Sequence, residues 1–272
     1  MLARSLAADA ELVNGRLIHR ATGRRVGAIM PVYTLGLPSD MKPIVELARQ
    51  HHLPVVADAA AALGATYRQR AIGTLGADLT VFSFNGNKTV TCGGGGAVAG
   101  PGGPTLDLVR HLTTTARVGA DYDHDRVGFN YRMTNLQAAV GCAQLERLDA
   151  LVMEKRKIAC RYDAAFEELP GVDLFPQPNW ARSACWLAGI LLDPEVHREP
   201  DRIRRELLDA GIGARAFWKP IHLQAPYAAA PRSPMPVSER LWRAVLTLPC
   251  STDLSDDEQA YVIDQVRDIL TR

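Results

Sequence analysis

LTVFSFNGNKTVTCGGGGAVAG, residues 79–100, sets a single lysine between an apolar run and four consecutive glycines. Leu79 to Phe84 is apolar, β-branched and aromatic, the composition of a fully buried strand, and Asn85-Gly86-Asn87 breaks it into a loop that carries Lys88. A position just past the carboxyl end of a buried strand is where open α/β sheets bind ligands. The glycines Gly93 to Gly96 lack the Lys-Ser/Thr of a P-loop and do not open a helix as GxGxxG would, so close approach of two backbones behind the lysine loop is expected of them.

Upstream, GAIMPVY (27–33) reads as a buried strand, and Ser39 or Asp40 caps a helix to about His51 with Ile44, Leu47 and Ala48 toward a core. Leu53 to Val56 gives the next strand, ending at Asp58. Strand, helix and strand within about 30 residues make the βαβ unit of a parallel sheet. Asp58 and Lys88 therefore both belong at carboxyl ends of neighbouring parallel strands. The first 26 residues are turn-rich, with a hairpin expected through Arg16 to His19.

Downstream come a short strand at 97–100, a helix from Thr105 to about Ala116 and a polar loop over 118–133. A long helix is then expected from an N-cap at Thr134 to Leu169, with Leu136, Val140, Val152, Ile158, Tyr162 and Phe166 on its apolar stripe. Such length marks a junction between units. A second α/β pattern follows: a strand over 185–192, a helix over 201–210, a strand over 214–217 and a last helix opened by the capping box Ser255/Glu258. The expected division is 1–154 for the larger unit, with the start of the long helix, and 155–272 for the smaller.

With 272 residues, 47% of them hydrophobic, the chain can bury a sizeable core. A net charge of +1, from 31 basic and 30 acidic residues, speaks against nucleic acid or an anionic membrane as main partner and for a small molecule. The five scattered cysteines form no CxxC or Cys/His spacing, which fits a reducing cytoplasm. Asp121-Tyr-Asp-His-Asp125 matches neither EF-hand nor zinc spacing, so no metal is expected there. No apolar run approaches the ~18 residues of a membrane span, and a soluble cytoplasmic protein is expected.

A lysine amine able to form a Schiff base and a carboxylate able to keep a pyridine nitrogen protonated are the two groups that pyridoxal phosphate needs most from a protein. Lys88 and Asp58 supply them. Ser83 either offers its hydroxyl to the cofactor phosphate or bonds to the backbone of its own strand.

Several ordered stretches, PVVADAAAALGATY (54–67), TVFSFNGNKTVTCGGGGAV (80–98) and VGFNYRMTNLQAAVGCAQLE (127–146), resemble the DegT/DnrJ/EryC1/StrS sugar aminotransferases. SFNGNK, HLTTTAR and the entry NGRLIHRATGRRV are most similar to the LegC-like branch, and the likeness continues through WKPIHLQ and LTLPCSTDLSDDE. The resemblance implies a fold type I α/β three-layer sandwich with an incomplete large domain and a smaller C-terminal α/β domain. It also implies pyridoxal 5'-phosphate as cofactor, a nucleotide-linked keto-sugar as acceptor, glutamate as amino donor, and a homodimer working in surface polysaccharide or nonulosonic acid-type sugar biosynthesis. Lys88 would then hold the cofactor and move the proton of the transamination step, Asp58 would pair with the pyridine nitrogen, and Ser83 would bind the phosphate. Asn130 and Arg132 would reach the phosphate or the neighbouring subunit's substrate. His222 would lie near the sugar nucleotide or be a packed second-domain histidine, and Asn85 stands where other branches carry His, on the substrate side. Two departures are expected to matter. Ala61 replaces the Gln, Glu or His with which relatives help fix the ring, and the phosphate-gripping segment that begins the relatives has no counterpart here. The competing expectation is a truncated, non-catalytic remnant that dimerises or binds sugar nucleotide without turnover.

Overall fold

The fold is taken from a computed structural model that describes residues 2–197 and 199–272. Helix α1 (Leu2–Asp9) leads into a hairpin of β1 (Ala10–Val13) and β2 (Arg16–His19). Its turn is Asn14-Gly15, with φ of 47° and 74°, the pair of positive angles that a two-residue hairpin loop demands. In α2 (Met41–Gln50) the buried residues are Met41, Val45 and Ala48, with Ile44 and Leu47 packed partly against the same core. Asp40 sits at the N-cap without capping: its carboxylate accepts the Tyr67 hydroxyl instead, at 2.5 Å.

The first sheet is built on β3 (Val56–Asp58). After β4 (Thr66–Tyr67) and β5 (Arg70–Ala71), β6 (Leu79–Ser83) pairs with β3 in parallel, Asp58 opposite Val81. On the other side of β3 the 27–33 segment runs parallel, touching it only through bridges at Ile29–Val55 and Val32–Asp58. Pro31 lies between them, and with no N–H it can only accept, as it does from Asp58 N at 2.9 Å. The expected strand is thus an extended segment with an interrupted ladder. Antiparallel to β6 on its far edge is β7 (Gly96–Ala99).

Helix α3 (Pro104–Thr113) and a small hairpin, β8 (Arg117–Val118) with β9 (Asp123–His124), precede the expected long helix. That helix is two: α4 (Asn135–Leu145) and α5 (Leu148–Phe166), broken at Glu146-Arg147, where Arg147 leaves helical geometry at φ −102°, ψ 4°. The two halves pack against different partners. A Cβ on Gly141 of α4 would meet the Cys92 sulfur at 2.6 Å, so α4 lies tight against the lysine loop. Helix α5 instead buries Val152, Ile158, Tyr162 and Phe166, while Leu136 and Val140 of α4 stay exposed.

The remaining elements are β10 (Val172–Leu174), β11 (Ala181–Arg182), β12 (Ala188–Leu192), α6 (Pro200–Asp209), β13 (Arg215–Ala216), α7 (Pro236–Ala244), β14 (Val245–Leu248) and α8 (Asp256–Leu270). An antiparallel sheet of order β10-β12-β14-β13 carries the second core, centred on Phe166, Ile190, Leu207 and Val266. The expected strand over 185–192 begins only at Ala188, because Cys185 takes φ +51° and turns the chain. Neither α7 nor β14 was expected, since the proline-rich run before them masks the start of the helix. Among the links that join the halves, β11 pairs with β4, and Arg156 of α5, which also donates to the Ser183 carbonyl (2.8 Å), donates to the Gly64 carbonyl (3.1 Å). Among the described residues no helix is long and apolar enough to cross a membrane.

Candidate active site

Parallel pairing puts the carboxyl ends of β3 and β6 on one edge of the sheet, and that fixes where Asp58 and Lys88 meet. Beyond β6 the chain folds back on itself. Lys88 N donates to the Asn85 carbonyl at 3.0 Å, and the Phe84 carbonyl accepts both Cys92 N (3.0 Å) and the Thr91 hydroxyl (3.1 Å). The glycines then return the chain as β7. A Cβ on Gly96 would stand 2.3 Å from the Phe82 carbonyl, so only glycine allows β7 to close on β6 there, and Gly93 and Gly95 take φ of 76° and 82°. The run is a device of close backbone approach.

Lys88 and Asp58 line one cavity of about 810 Å³, together with Ala60, Ala61, Tyr33, Trp186 and Trp218. Asp58 Oδ1 accepts from Ala60 N at 3.0 Å. Its other oxygen has no protein donor among the described residues and is open to accept a hydrogen bond. The Lys88 ammonium stands 3.6 Å from the centroid of the Trp186 ring. Burial lowers the Lys88 pKa, and the Asp58 charge opposes that shift. A lowered lysine pKa gives more neutral amine, which is the nucleophilic form. The Tyr33 phenol is buried without a hydrogen-bond partner among the described residues, and burial pushes its pKa up to about 12. Trp218 stacks on Trp186 with centroids 5.6 Å apart, and Phe217 tilts against Trp218 at 4.7 Å, so one wall is aromatic.

The other expected site residues lie outside this cavity. Ser83 Oγ accepts from Asn85 N at 3.3 Å, the local backbone role, and Asn85 itself is exposed and bonded to Asn87. Asn130 and Arg132 are exposed on the segment that bridges to Thr114 and precedes α4. His222 is buried and pairs with Glu239 at 3.0 Å; its neighbours Ile221 and Gln224 face the cavity in its place. Ala61 lines the cavity wall. Sequence reasoning missed Tyr33, Trp186 and Trp218 as site residues. The only signal was compositional: two of four tryptophans fall beside turn-forming or proline-flanked positions at the ends of short strands.

A protein-family model described as the DegT/DnrJ/EryC1/StrS aminotransferase family matches residues 6–267. The chain is 35% identical over 253 residues to the GDP-perosamine synthase of Escherichia coli O157:H7, covering 92% of this chain and 68% of that protein. It is 29% identical over 268 residues to the UDP-4-amino-4,6-dideoxy-N-acetyl-beta-L-altrosamine transaminase of Campylobacter jejuni, covering 97% and 70%. Among solved structures, a DegT DnrJ EryC1 StrS aminotransferase from Brucella abortus superposes with a TM-score of 0.85 at 28% identity, over 93% of this chain and 67% of that one. The chain spans about two thirds of the length of the curated relatives it matches.

Proposed function

The chain belongs to the DegT/DnrJ/EryC1/StrS aminotransferase family, and from that premise we propose that it serves a pyridoxal phosphate-dependent transfer of an amino group from glutamate to a nucleotide-linked keto-sugar. The observation that carries this reading is the meeting of Lys88 and Asp58 in one cavity at the carboxyl ends of parallel strands. Relatives named for GDP- and UDP-linked amino sugars support a nucleotide sugar as acceptor. Surface polysaccharide or nonulosonic acid-type sugar synthesis, in the cytoplasm, is the setting we infer, with residues 1–154 as the cofactor-binding unit and 155–272 as the smaller one. No observation favours a non-catalytic remnant.

Asp58 would hold the pyridine nitrogen through the oxygen that Ala60 leaves free, and Lys88 would hold the aldehyde carbon. When bound, the cofactor supplies an electron sink for the carbanion left by deprotonating the amino donor. Lys88 Nζ then takes that proton and returns it, which a lowered pKa favours. The aromatic wall of Trp186 and Trp218 excludes water on one side of the lysine. Asn130 and Arg132, exposed beside Phe129, Tyr131 and Leu136, are read as facing a second subunit; sedimentation velocity should show a dimer, and a monomer at all concentrations contradicts that part.

Incubation with pyridoxal phosphate should give a visible absorption band that persists through desalting and is missing from Lys88→Ala. Glutamate should bleach it. A wild-type chain that shows no band sinks the proposal.

A further inference from the structure

We propose that Trp186 is the positioning residue for Lys88: its indole reaches from the second half of the chain to grip the lysine loop and to present a ring face to the lysine ammonium. Its importance for transamination rests on the function proposed above, whereas the contact itself does not.

Trp186 is engaged through its indole N–H, its ring face and its carbonyl. The indole N–H, a donor only, gives its hydrogen bond to the Asn87 carbonyl at 2.7 Å, across 99 positions of sequence and one residue before Lys88. The ring lies 3.6 Å from Lys88 Nζ, well inside the ~6 Å reach of a cation–π contact. The Trp186 carbonyl accepts from Lys155 Nζ at 3.2 Å; that lysine is 8% exposed and gives a second bond to the Cys250 carbonyl at 2.6 Å. A tryptophan that only filled space would need neither the N–H bond nor the ring contact; the carbonyl bond is a main-chain contact that fixes the segment.

The chain is bent to make the contact. Cys185, directly before Trp186, takes φ +51°, an angle that costs a non-glycine residue and persists only where neighbours enforce it. The enforcement is visible. Ser183 Oγ accepts from Cys185 N at 3.0 Å, Arg156 fixes the Ser183 carbonyl at 2.8 Å, and Ala184 N donates to the Gly36 carbonyl at 2.9 Å. The titratable groups that share the cavity with Lys88 are Asp58, Tyr33 and Lys219. Asp58 attracts the ammonium, Lys219 is a like charge, and the Trp186 face supplies attraction without a proton of its own.

The test uses the chain without cofactor. It has five lysines, so reductive methylation with isotopically labelled formaldehyde gives a resolvable NMR spectrum, with Lys88 assigned by its loss in Lys88→Ala. Methyl groups above an indole feel its ring current. The wild-type Lys88 signal is expected well upfield of the other lysines, reduced in Trp186→Phe and at the ordinary position in Trp186→Leu. A wild-type Lys88 signal at the ordinary position overturns the proposal with no substitution needed, and so does an upfield signal that survives Trp186→Leu. Pyridoxal phosphate affinity, read by absorbance, should fall about 2- to 13-fold in both Trp186→Leu and Trp186→Phe, the range of the one hydrogen bond to the Asn87 carbonyl that each loses. Equal affinity in Trp186→Leu and wild type overturns the positioning role. Failure of the wild type to bind pyridoxal phosphate counts against the proposed function, while the ring-current result still decides the role of Trp186.

Discussion

Lys88 is held between opposing influences: burial favours the neutral amine, and Asp58 favours the ammonium. The sign of a prediction follows. Asp58→Asn removes the influence that raises the lysine pKa, so the Lys88 midpoint in an NMR pH titration should fall further below its ordinary value. Between the folded and unfolded midpoints the unfolded chain binds more protons at this group, so its contribution to stability rises with pH there, and Asp58→Asn widens that window downward. Both groups were legible in the sequence because a strand's end and the loop after it are local features. Trp186 was not, since its partner Asn87 is 99 positions away and no periodicity records a contact of that kind. His222 illustrates the converse. The motif around it was legible, yet its side chain turns to Glu239, and only packing decides which residue of a short 3-10 turn faces a cavity.

Among the elements, the starts of α4 and α8 were legible because the caps at Thr134 and Ser255 are local, whereas Asp40 makes no cap at α2. Ser255 and Glu258 form the expected box at α8, with Ser255 N donating to the Glu258 carboxylate at 2.8 Å and Glu258 N to Ser255 Oγ at 3.2 Å. Ser255→Ala should cost about 1 kcal/mol in denaturant unfolding. The Ser255 hydroxyl and backbone hold the Glu258 carboxyl below its usual range, so this part of the cap is lost as pH falls through that lowered pKa. The break between α4 and α5 was invisible by contrast. No proline or glycine marks Glu146-Arg147; the helix divides because Gly141 must meet Cys92 while Phe166 must enter another core, a demand set by tertiary packing.

At the scale of the molecule, two separate apolar clusters are joined through α5, Arg156 and the β4–β11 pairing. The α/β class of the first half followed from βαβ spacing. The antiparallel order β10-β12-β14-β13 did not, because β13 is two residues long and α7 follows a run of prolines. Phe166 is fully buried in the second cluster, and Phe166→Ala should cost about 3–5 kcal/mol, measured by denaturant unfolding. Since Trp186 belongs to that half and Lys88 to the other, the upfield Lys88 signal should vanish at the same denaturant concentration at which the second cluster melts. Trp186 and Trp218 also have an optical consequence. Two indoles 5.6 Å apart and 17° from parallel share their electronic transitions, so their circular dichroism should carry an exciton couplet that either single replacement abolishes. The wall of the cleft thereby contains its own chromophore, sensitive to the shape of the site before any ligand is added.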